Sequence, residues 1–258
     1  MVRPAAANSV VETAGIAAPS VPQIPRKGWG GGRGDITFSQ VNERAVIFDV
    51  DGTLVDSNDA HAAAWQDVLR EFHFERAFAD IRRLIGMGGD KLLPALIGIS
   101  SDSELGKRIV ERRARRFREA YLPRLRPFPG VRALLTRIAA DGFRVGVASS
   151  ARQDELDALL EIAGVADLIH RQTSSDDVDA SKPDPDAVHA ALAKLRISSE
   201  AAVMVGDTPY DVEAAGRAGV PAIAVRSGGW ADADLAGARA IFDDASDLLA
   251  HYATDIFA

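Results

Sequence analysis

The sequence predicts an α/β protein with a parallel sheet, helices on both faces, and a small all-helical block inserted after the first strand. Over the second half of the chain, short apolar segments alternate with segments of helical periodicity, which is typical of a parallel sheet. Residues 58–126 show helical patterns only. Polar clusters follow the strand-like segments, and α/β sheets hold their ligands at the carboxyl ends of strands. We therefore expect the functional site at that edge.

The first predicted strand is Ala45–Phe48, which is short and apolar throughout, as buried parallel strands are. Asp49 and Asp51 follow it, and then Gly52, whose conformational freedom permits a sharp turn. Because an unpaired buried charge is costly, two carboxylates at a strand end require compensation. Hard oxygen ligands suit magnesium, so we predict Mg²⁺ at this position. Thr53 adds a hydroxyl at the same strand end.

The spacing of these two carboxylates also fits catalysis. Residues i and i+2 of a strand project to the same side, so Asp49 and Asp51 can divide the work of nucleophile and general acid/base. The alternative is a solvated acidic turn, since calcium-binding loops also begin with Asp-x-Asp-Gly. Such a loop carries glutamate at its twelfth position, but counting from Asp49 that position is Ala60. A calcium-binding loop of this kind also follows a helix, whereas a predicted apolar strand precedes Asp49.

The inserted block contains several helical segments. The first has an apolar stripe at helical spacing, and its start carries three residues able to cap it. The last is rich in arginine, and we favour a solvated face balanced by nearby acids over an anion-attracting face above the site. The predicted helices are Asn58–Phe74, with Ser57, Asn58 or Asp59 as the cap, then Ala77–Ile85, and Asp102–Leu122.

Two features of this block are candidates for substrate contact. His61 lies near the predicted site in sequence, although a single helical histidine is more often structural. The stretch Ile85–Leu92 contains three glycines in four positions and predicts a mobile loop, with Asp90 as the cap of the next helix. Glycine-rich loops before helices can hold phosphate. The spacing here matches neither the P-loop nor the dinucleotide fingerprint, so the loop alone is weak evidence.

Beyond residue 126 the chain alternates between predicted helices and strands, and the strands are short and apolar. The predicted strands are Phe143–Ala148, a short one starting at Leu168–Ile169, Ala201–Val205, Pro221–Val225 and Ala240–Phe242; the predicted helices are Gly130–Ala140, Gln153–Gly164, Asp184–Leu195, Asp211–Ala218 and Ala245–Tyr252.

Three further polar clusters fall in this alternating region. Ser149 and Ser150 follow a strand and offer hydroxyl and N–H donors to an anion. Lys182 precedes two prolines that stiffen the backbone, so its ammonium group can neutralise a phosphoryl group. Asp207 ends a strand as Asp49 does, and Asp211 lies one helical turn further. Each cluster alone is weak evidence, but their order at strand ends is strong evidence for one site.

The segment FDVDGTLVDS, from Phe48 to Ser57, resembles motif I of the haloacid dehalogenase-like (HAD) hydrolase superfamily. Ser149 is similar to the motif II hydroxyl, Lys182 to the motif III lysine, and GDTPYD around Asp207 to the acidic motif IV. The resemblance covers the chain from about residue 45 onward, and the helical block is similar to the family's small C1-type cap. It implies a Rossmann-like core, Mg²⁺ and an aspartyl-phosphate intermediate.

The resemblance also implies a role for each motif residue. Asp49 attacks phosphorus, and Asp51 protonates the leaving alcohol and then activates water. Mg²⁺ is held by Asp49, Asp207 and the backbone carbonyl of Asp51, with Asp211 in support. The residues that bind the phosphoryl oxygens are Thr53, Ser149, Ser150 and Lys182.

Features outside the motifs narrow the choice within the superfamily. Its dehalogenases lack the second motif I aspartate, so Asp51 argues against that reaction. The loop IGMGGDKLL resembles the cap loop of phosphoglycolate phosphatases, whereas HAAAW around His61 resembles a stretch of β-phosphoglucomutases. The mutases use a loop arginine to grip a second phosphate, and a lysine does not reproduce that bidentate grip. The candidate specificity residues are therefore His61, Gly88, Gly89 and Lys91.

We favour a phosphatase acting on a small phosphorylated metabolite, either a sugar phosphate or a phosphoglycolate-like ester. The first alternative is β-phosphoglucomutase-like phosphoryl transfer between sugar positions. The second is a regulatory protein that keeps the fold without catalysis, which the complete set of motif residues disfavours. These motifs specify neither the substrate nor the oligomeric state.

Composition excludes several other classes of protein. The 258 residues are 47% hydrophobic and 26% charged, as in ordinary globular proteins. A net charge of −7 argues against nucleic-acid and anionic-membrane partners. The lack of cysteine excludes disulfides and thiolate metal sites. No apolar run approaches the roughly 18 residues of a membrane helix, so we expect a cytoplasmic protein.

The domain boundaries follow from these patterns. Met1–Pro25 is rich in alanine, proline, valine and serine, and a glycine-rich run follows at residues 28–34. This composition predicts that residues 1–40 are a disordered leader without a secretory signal. The core is expected to comprise residues 41–57 and 127–258, and the C1 cap residues 58–126.

Overall fold

The computed structural model describes residues 43–257, so the predicted leader lies outside the described residues. Six parallel strands form one sheet in the order β3-β2-β1-β4-β5-β6, the order of a doubly wound Rossmann-like sheet. The predicted α/β fold class is confirmed. The strands are β1 (Ala45–Phe48), β2 (Arg144–Ala148), β3 (Arg171–Thr173), β4 (Ala202–Gly206), β5 (Ala222–Val225) and β6 (Ala240–Phe242).

Strand β1 occupies the centre of the sheet, between β2 and β4, and is completely buried. Its last residue, Phe48, pairs with Val147 of β2 and Val205 of β4, so the three strands end level with one another. The chain order reverses between β1 and β4, and a doubly wound sheet opens a crevice at such a switch point. Asp49 and Asp207, which follow these two strands, therefore lie at the mouth of one crevice.

Helices cover both faces of the sheet, as the alternation of side chains along each strand requires. Val46 and Phe48 of β1 pack into one core, and Ala45 and Ile47 pack into the other. Among the described helices, none has both the length and the apolar character needed to cross a bilayer. The helices are α1 (Asn58–Glu71), α2 (Phe78–Arg82), α3 (Gly89–Ile97), α4 (Glu104–Ala120), α5 (Val131–Ala140), α6 (Gln153–Ala163), α7 (Asp186–Leu195), α8 (Pro209–Arg217) and α9 (Ala245–Ala250).

Helices α1 to α4 form the predicted helical insert between β1 and β2. The insert has an apolar cluster of its own, which includes Trp65, Leu69 and Leu93. Phe117 of α4 instead joins the larger core beneath the sheet, which fastens the insert to the strands. Four arginines of α4 pair with acids, as the balanced-face interpretation expects: Arg112 with Glu71, Arg113 with Glu155, Arg116 with Asp67 and Arg118 with Asp154.

Three local predictions were wrong. The third strand begins at Arg171, because Leu168 and Ile169 pack against the core in the turn before the sheet hydrogen bonds start. Asp90 does not cap α3: Gly88 holds the cap position, and the Asp90 carboxylate bonds to another segment. Ser57 precedes α1, but its hydroxyl does not cap that helix, because it donates to Asp51.

The core packing of α5 gives a test of the fold. Ile138→Ala removes a fully buried side chain, and we expect the free energy of unfolding to fall by about 2–5 kcal/mol because a cavity remains. Thr136→Ala alters an exposed position of the same helix and should stay within about 0.5 kcal/mol of the parent. Urea titration followed by circular dichroism measures both. Equal stability of the two variants would contradict the placement of α5.

Candidate active site

A cavity of about 530 Å³ lies between the helical insert and the carboxyl ends of the strands. The sheet contributes the first polar residues after its strands, and the insert contributes α1, α4 and the loop before α3. This is the edge of the sheet that the sequence predicts for the site. Among the residues that line the cavity are Asp49, Asp51, His61, Gly86, Gly88, Gly89, Asp90, Arg113, Ser150, Arg152, Glu155, Ser181 and Lys182.

Lys182 provides the positive charge at the floor of this cavity. Its side chain is almost completely buried, and its Nζ donates to Asp49 and, at 2.7 Å, to Asp211. Burial lowers the pKa of Lys182, but the Asp211 and Asp49 carboxylates outweigh that effect and raise it above its ordinary value. Lys182 is therefore a permanent cation that touches the predicted nucleophile.

Three buried carboxylates meet around this lysine. Ligand oxygens of Asp49, Asp207 and Asp211 lie within 4.8 Å of one another. Burial raises the pKa of Asp49 well above its ordinary value, with the neighbouring acids adding to the effect and Lys182 opposing it. Burial and then Asp211 raise the pKa of Asp207 to about 7. The cluster thus carries more negative charge than one lysine neutralises.

The surroundings of Asp207 fit a divalent cation with hard oxygen ligands. Thr53 Oγ1 donates to Oδ1 of Asp207 at 3.0 Å, and Asn58 Nδ2 donates to Oδ2 at 2.8 Å. The amide oxygen of Asn58 is buried and has no partner among the described residues, so it can accept from a metal-bound water. The backbone closes tightly here, since a Cβ on Gly228 would stand 1.9 Å from Asp207 Oδ2.

Asp211 belongs to the acidic cluster and also makes two sets of hydrogen bonds that stabilise the surrounding structure. Its Oδ2 accepts from the backbone N–H and hydroxyl of Thr208, which completes a capping box at the start of α8. Its Oδ1 accepts from Lys182. Asp211 therefore ties the lysine to the first turn of α8, and this contact supports a positioning role more directly than a role as metal ligand.

The second motif I carboxylate, Asp51, is held from the insert. His61 Nε2 lies 2.7 Å from Asp51 Oδ1, and Ser57 donates to the same oxygen. Arg113 approaches His61 Nδ1 from the other side and bonds to both oxygens of Glu155. Because arginine only donates, Nδ1 accepts and the histidine proton is assigned to Nε2, facing Asp51.

These contacts influence the protonation of the Asp51 carboxyl group. Burial raises the pKa of the Asp51 carboxyl, but His61, Ser57 and Arg113 more than offset it, so the pKa lies below its ordinary value. The ring of His61 stacks on Phe117 at 4.0 Å between centroids, which fixes its plane. Both hydrogen bonds reach Oδ1, which leaves Oδ2 of Asp51 available for proton transfer.

Some of the remaining predicted site residues line the cavity, and the others lie outside its lining. Ser150, Gly88 and Gly89 line the cavity, and Ser150 donates to the carbonyl of Gly86 at 3.1 Å. Ser149 is buried, and its Oγ accepts from the Ala151 N–H. Thr53 bonds to Asp207, as described above. Lys91 lies outside the described cavity lining, and its ammonium pairs with Asp184.

Sequence reasoning missed four residues that the structure brings to the site. Asn58 was considered only as a helix cap, although it adjoins motif I. Arg113 belongs to an arginine-rich helix whose members look alike in sequence. Glu155 stands among several acids at the start of α6, and Ser181 stands beside Lys182 without a motif role. Only the position of Asn58, directly after motif I, offered a usable signal.

Comparison with known proteins gives the family of this chain. Residues 46–225 match the model of the family described as haloacid dehalogenase-like hydrolase. The chain belongs to this family. It is 36% identical over 215 residues to a phosphoglycolate phosphatase of Rhodospirillum rubrum, covering 80% of this chain and 89% of that protein.

Solved structures of HAD-like proteins share the fold. A hydrolase from Pseudomonas syringae superposes with a TM-score of 0.75 at 30% identity, covering 81% of this chain and 97% of that one. A β-phosphoglucomutase from Clostridium difficile superposes with a TM-score of 0.71 at 19% identity, covering 83% and 96% respectively, and at that identity the likeness concerns the fold alone.

This HAD-like hydrolase is therefore a phosphoric monoester hydrolase, a phosphatase of small phosphorylated substrates. The interpretation as a regulatory protein without catalysis is wrong, because the family and its phosphatase relatives are enzymes. The dehalogenase reaction stays disfavoured by the presence of Asp51.

The acidic cluster should make stability depend on pH and on divalent cations. Since the folded protein holds a proton on Asp207 that the unfolded chain releases, the free energy of unfolding should fall as pH rises from 3.8 to about 7. The melting temperature in EDTA should therefore fall between about pH 5 and about pH 8. Mg²⁺ should raise it more at the higher pH, where the cluster must ionise.

Differential scanning calorimetry measures both effects. Asp207→Asn removes the titrating group and should weaken both the pH dependence and the response to Mg²⁺. A parent protein whose melting temperature ignores Mg²⁺ at both pH values would contradict a cation site at the cluster.

Proposed function

We propose that this protein is a Mg²⁺-dependent phosphatase that hydrolyses a sugar phosphate or a phosphoglycolate-like ester through an aspartyl-phosphate intermediate. The observation that carries the proposal is the contrast between two carboxylates at one strand end. Asp49 lies against the buried ammonium of Lys182, whereas Asp51 is oriented by His61 with one oxygen free. Such a pair supplies a nucleophile and a general acid/base side by side. The phosphoglycolate phosphatase relatives support this substrate class.

In the first half of the reaction an Asp49 oxygen attacks phosphorus and the ester oxygen leaves. Asp51 Oδ2 donates the proton that this oxygen requires. The lowered pKa of free Asp51 opposes that role, but a phosphoryl dianion bound beside it adds like charge and raises the pKa. Protonation of Asp51 is thus coupled to substrate binding, while His61 keeps the carboxylate in place.

In the second half Asp51 acts as a base. It takes a proton from water, and the water oxygen attacks the phosphoryl group and releases Asp49. Lys182 neutralises the phosphoryl oxygens, with Ser149 and Ser150 as further donors and Thr53 holding Asp207. Asp49, Asp207 and the backbone carbonyl of Asp51 would hold Mg²⁺, supported by Asp211. When bound, the ion would stabilise negative charge on the phosphoryl oxygens.

The insert, residues 58–126, is proposed to be a C1 cap that opens to admit substrate and closes to exclude bulk water. The core then comprises residues 41–57 and 127–258. The pairing of Arg113 in the insert with Glu155 of the core supports a closed position of the cap. Together with the expected small-molecule substrate, this organisation favours a cytoplasmic metabolic enzyme.

The alternative function is mutase-like phosphoryl transfer between sugar positions. It requires a cation in the cap loop to hold the second phosphate, and there the loop offers Gly86, Gly88 and Gly89 to the cavity. Lys91 is engaged by Asp184 instead. These contacts favour hydrolysis. An isomerisation assay with β-glucose 1-phosphate and the 1,6-bisphosphate distinguishes the two, because a mutase interconverts isomers without net release of phosphate.

The nucleophile provides the first test of the proposal. Asp49→Asn removes the attacking oxygen, so release of phosphate from a panel of sugar phosphates and phosphoglycolate should fall below detection. The parent should act on at least one small ester, and only with Mg²⁺. Full activity of the Asp49→Asn variant would contradict the mechanism, and a folded spectrum identical to that of the parent is the necessary control.

The acid/base provides the second test. Asp51→Asn should lower kcat by about 10²- to 10⁴-fold on alkyl phosphates, because neither proton transfer can occur. p-Nitrophenyl phosphate has a good leaving group and needs no acid in the first half. With that substrate the variant should accumulate a phosphoenzyme, detected by intact-protein mass spectrometry as one added phosphoryl group. Loss of alkyl and aryl activity without a phosphoenzyme would count against the assigned role.

A further inference from the structure

The loop that precedes α3 lies directly on the segment that carries Lys182. We propose that Asp90 of this loop is a positioning residue that sets the Lys182 ammonium in place when the insert closes on the core. The inference rests on the proposed function, in which Lys182 binds the phosphoryl group. Nothing in the motif pattern of the sequence points to this role, because Asp90 precedes Lys182 by many residues.

Ser181 is the core residue that the loop grips. Its hydroxyl donates to Asp90 Oδ1 at 2.5 Å, and its backbone N–H donates to Asp90 Oδ2 at 3.2 Å. The N–H of Gly88 donates to the same hydroxyl at 3.0 Å. Ser181 is buried, and the next residue is Lys182. Both carboxylate oxygens of Asp90, a residue of the insert, thus hold Ser181, which precedes Lys182.

A second contact holds the other end of the same segment. Lys91, adjacent to Asp90, pairs with Asp184, and Arg217 of the core bonds to Asp184 at 3.0 Å. This ion pair is partly exposed to solvent, so it contributes little by itself. The contact with Ser181 engages both oxygens of Asp90 and reaches the residue directly before Lys182, and the inference is therefore assigned to Asp90.

The loop reaches Ser181 only because residue 88 is glycine. A Cβ at Gly88 would stand 2.6 Å from Asp90 Oδ1 and 2.6 Å from Ser181 Cβ. Contacts that short force the loop away from the core. The glycine that looked in sequence like part of a mobile loop is, in the structure, what permits a close contact between insert and core.

Electrostatic repulsion explains why Asp90 needs the hydrogen-bond donors of Ser181. Asp90 lines the cavity that receives a phosphoryl dianion, where a free carboxylate would repel the substrate. Here both carboxylate oxygens are turned to donors on Ser181. The acid therefore serves the contact with the core, and its loss should disturb Lys182 more than it relieves repulsion. Displacement of a charged group by about 1 Å can reduce turnover by about 100-fold.

The test compares Asp90→Ala, Asp90→Asn and Ser181→Ala with Asp80→Ala, an exposed acid of α2. With p-nitrophenyl phosphate, Asp90→Ala and Ser181→Ala should each lower kcat by about 10- to 100-fold. Asp90→Asn keeps one acceptor and should recover part of the loss, and Asp80→Ala should match the parent. The double variant Asp90→Ala with Ser181→Ala should be no worse than either single variant, because both remove one contact.

Binding measurements separate this inference from the proposed function. Calorimetric titration with inorganic phosphate in the presence of Mg²⁺ should show binding weakened at least about fivefold in Asp90→Ala and in Gly88→Ala. The Mg²⁺ affinity without phosphate should be unchanged. This readout holds even if the parent turns over none of the substrates tested. Parent-like phosphate binding and kcat in Asp90→Ala, or additive losses in the double variant, would overturn the inference.

Discussion

The whole site depends on one buried ammonium group, that of Lys182, among three buried carboxylates. A charge so deep in the protein is stable only with partners, and Asp49 and Asp211 supply them. Burial raises the pKa values of Asp49 and Asp207, and the neighbouring acids add to the effect. Three carboxylates around one ammonium leave the ionised cluster with net negative charge, which supports the proposed divalent cation at the strand ends.

The sheet makes this arrangement possible because β1 and β4 are neighbours at the switch point, so the first residues after each strand share one crevice. Other residues fix the acids of this crevice in place through hydrogen bonds. Thr53 and Asn58 fix Asp207, and the capping box of α8 fixes Asp211. Rigid placement matters because electrostatic stabilisation of a transition state requires dipoles and charges that do not have to reorganise.

The parts of the molecule that the sequence predicts well are those with local signals. Asp49 and Asp207 each follow a strand, and Lys182 precedes two prolines. Parallel strands bring the residues at their carboxyl ends together without further information. Asp211 was predicted near the metal, but its bonds to Thr208 and Lys182 depend on its helical turn. The contacts of His61 with Arg113, and of Asp90 with Ser181, join residues far apart in sequence. Periodicity and spacing carry no signal for such pairs, which exist only through packing of the insert.

Those two unpredicted contacts have a common consequence. His61 and Arg113 on the insert orient Asp51, and the insert loop holds the segment of Lys182. Under the proposed function, the general acid/base and the phosphoryl-binding cation both rely on the insert being seated on the core. In that proposal an open insert leaves the acidic cluster intact but loosens the groups that move protons and bind phosphate. Hydrolysis would then be confined to the closed state, in which a bound ester has displaced bulk water, and the same contacts would select for a substrate small enough to be enclosed.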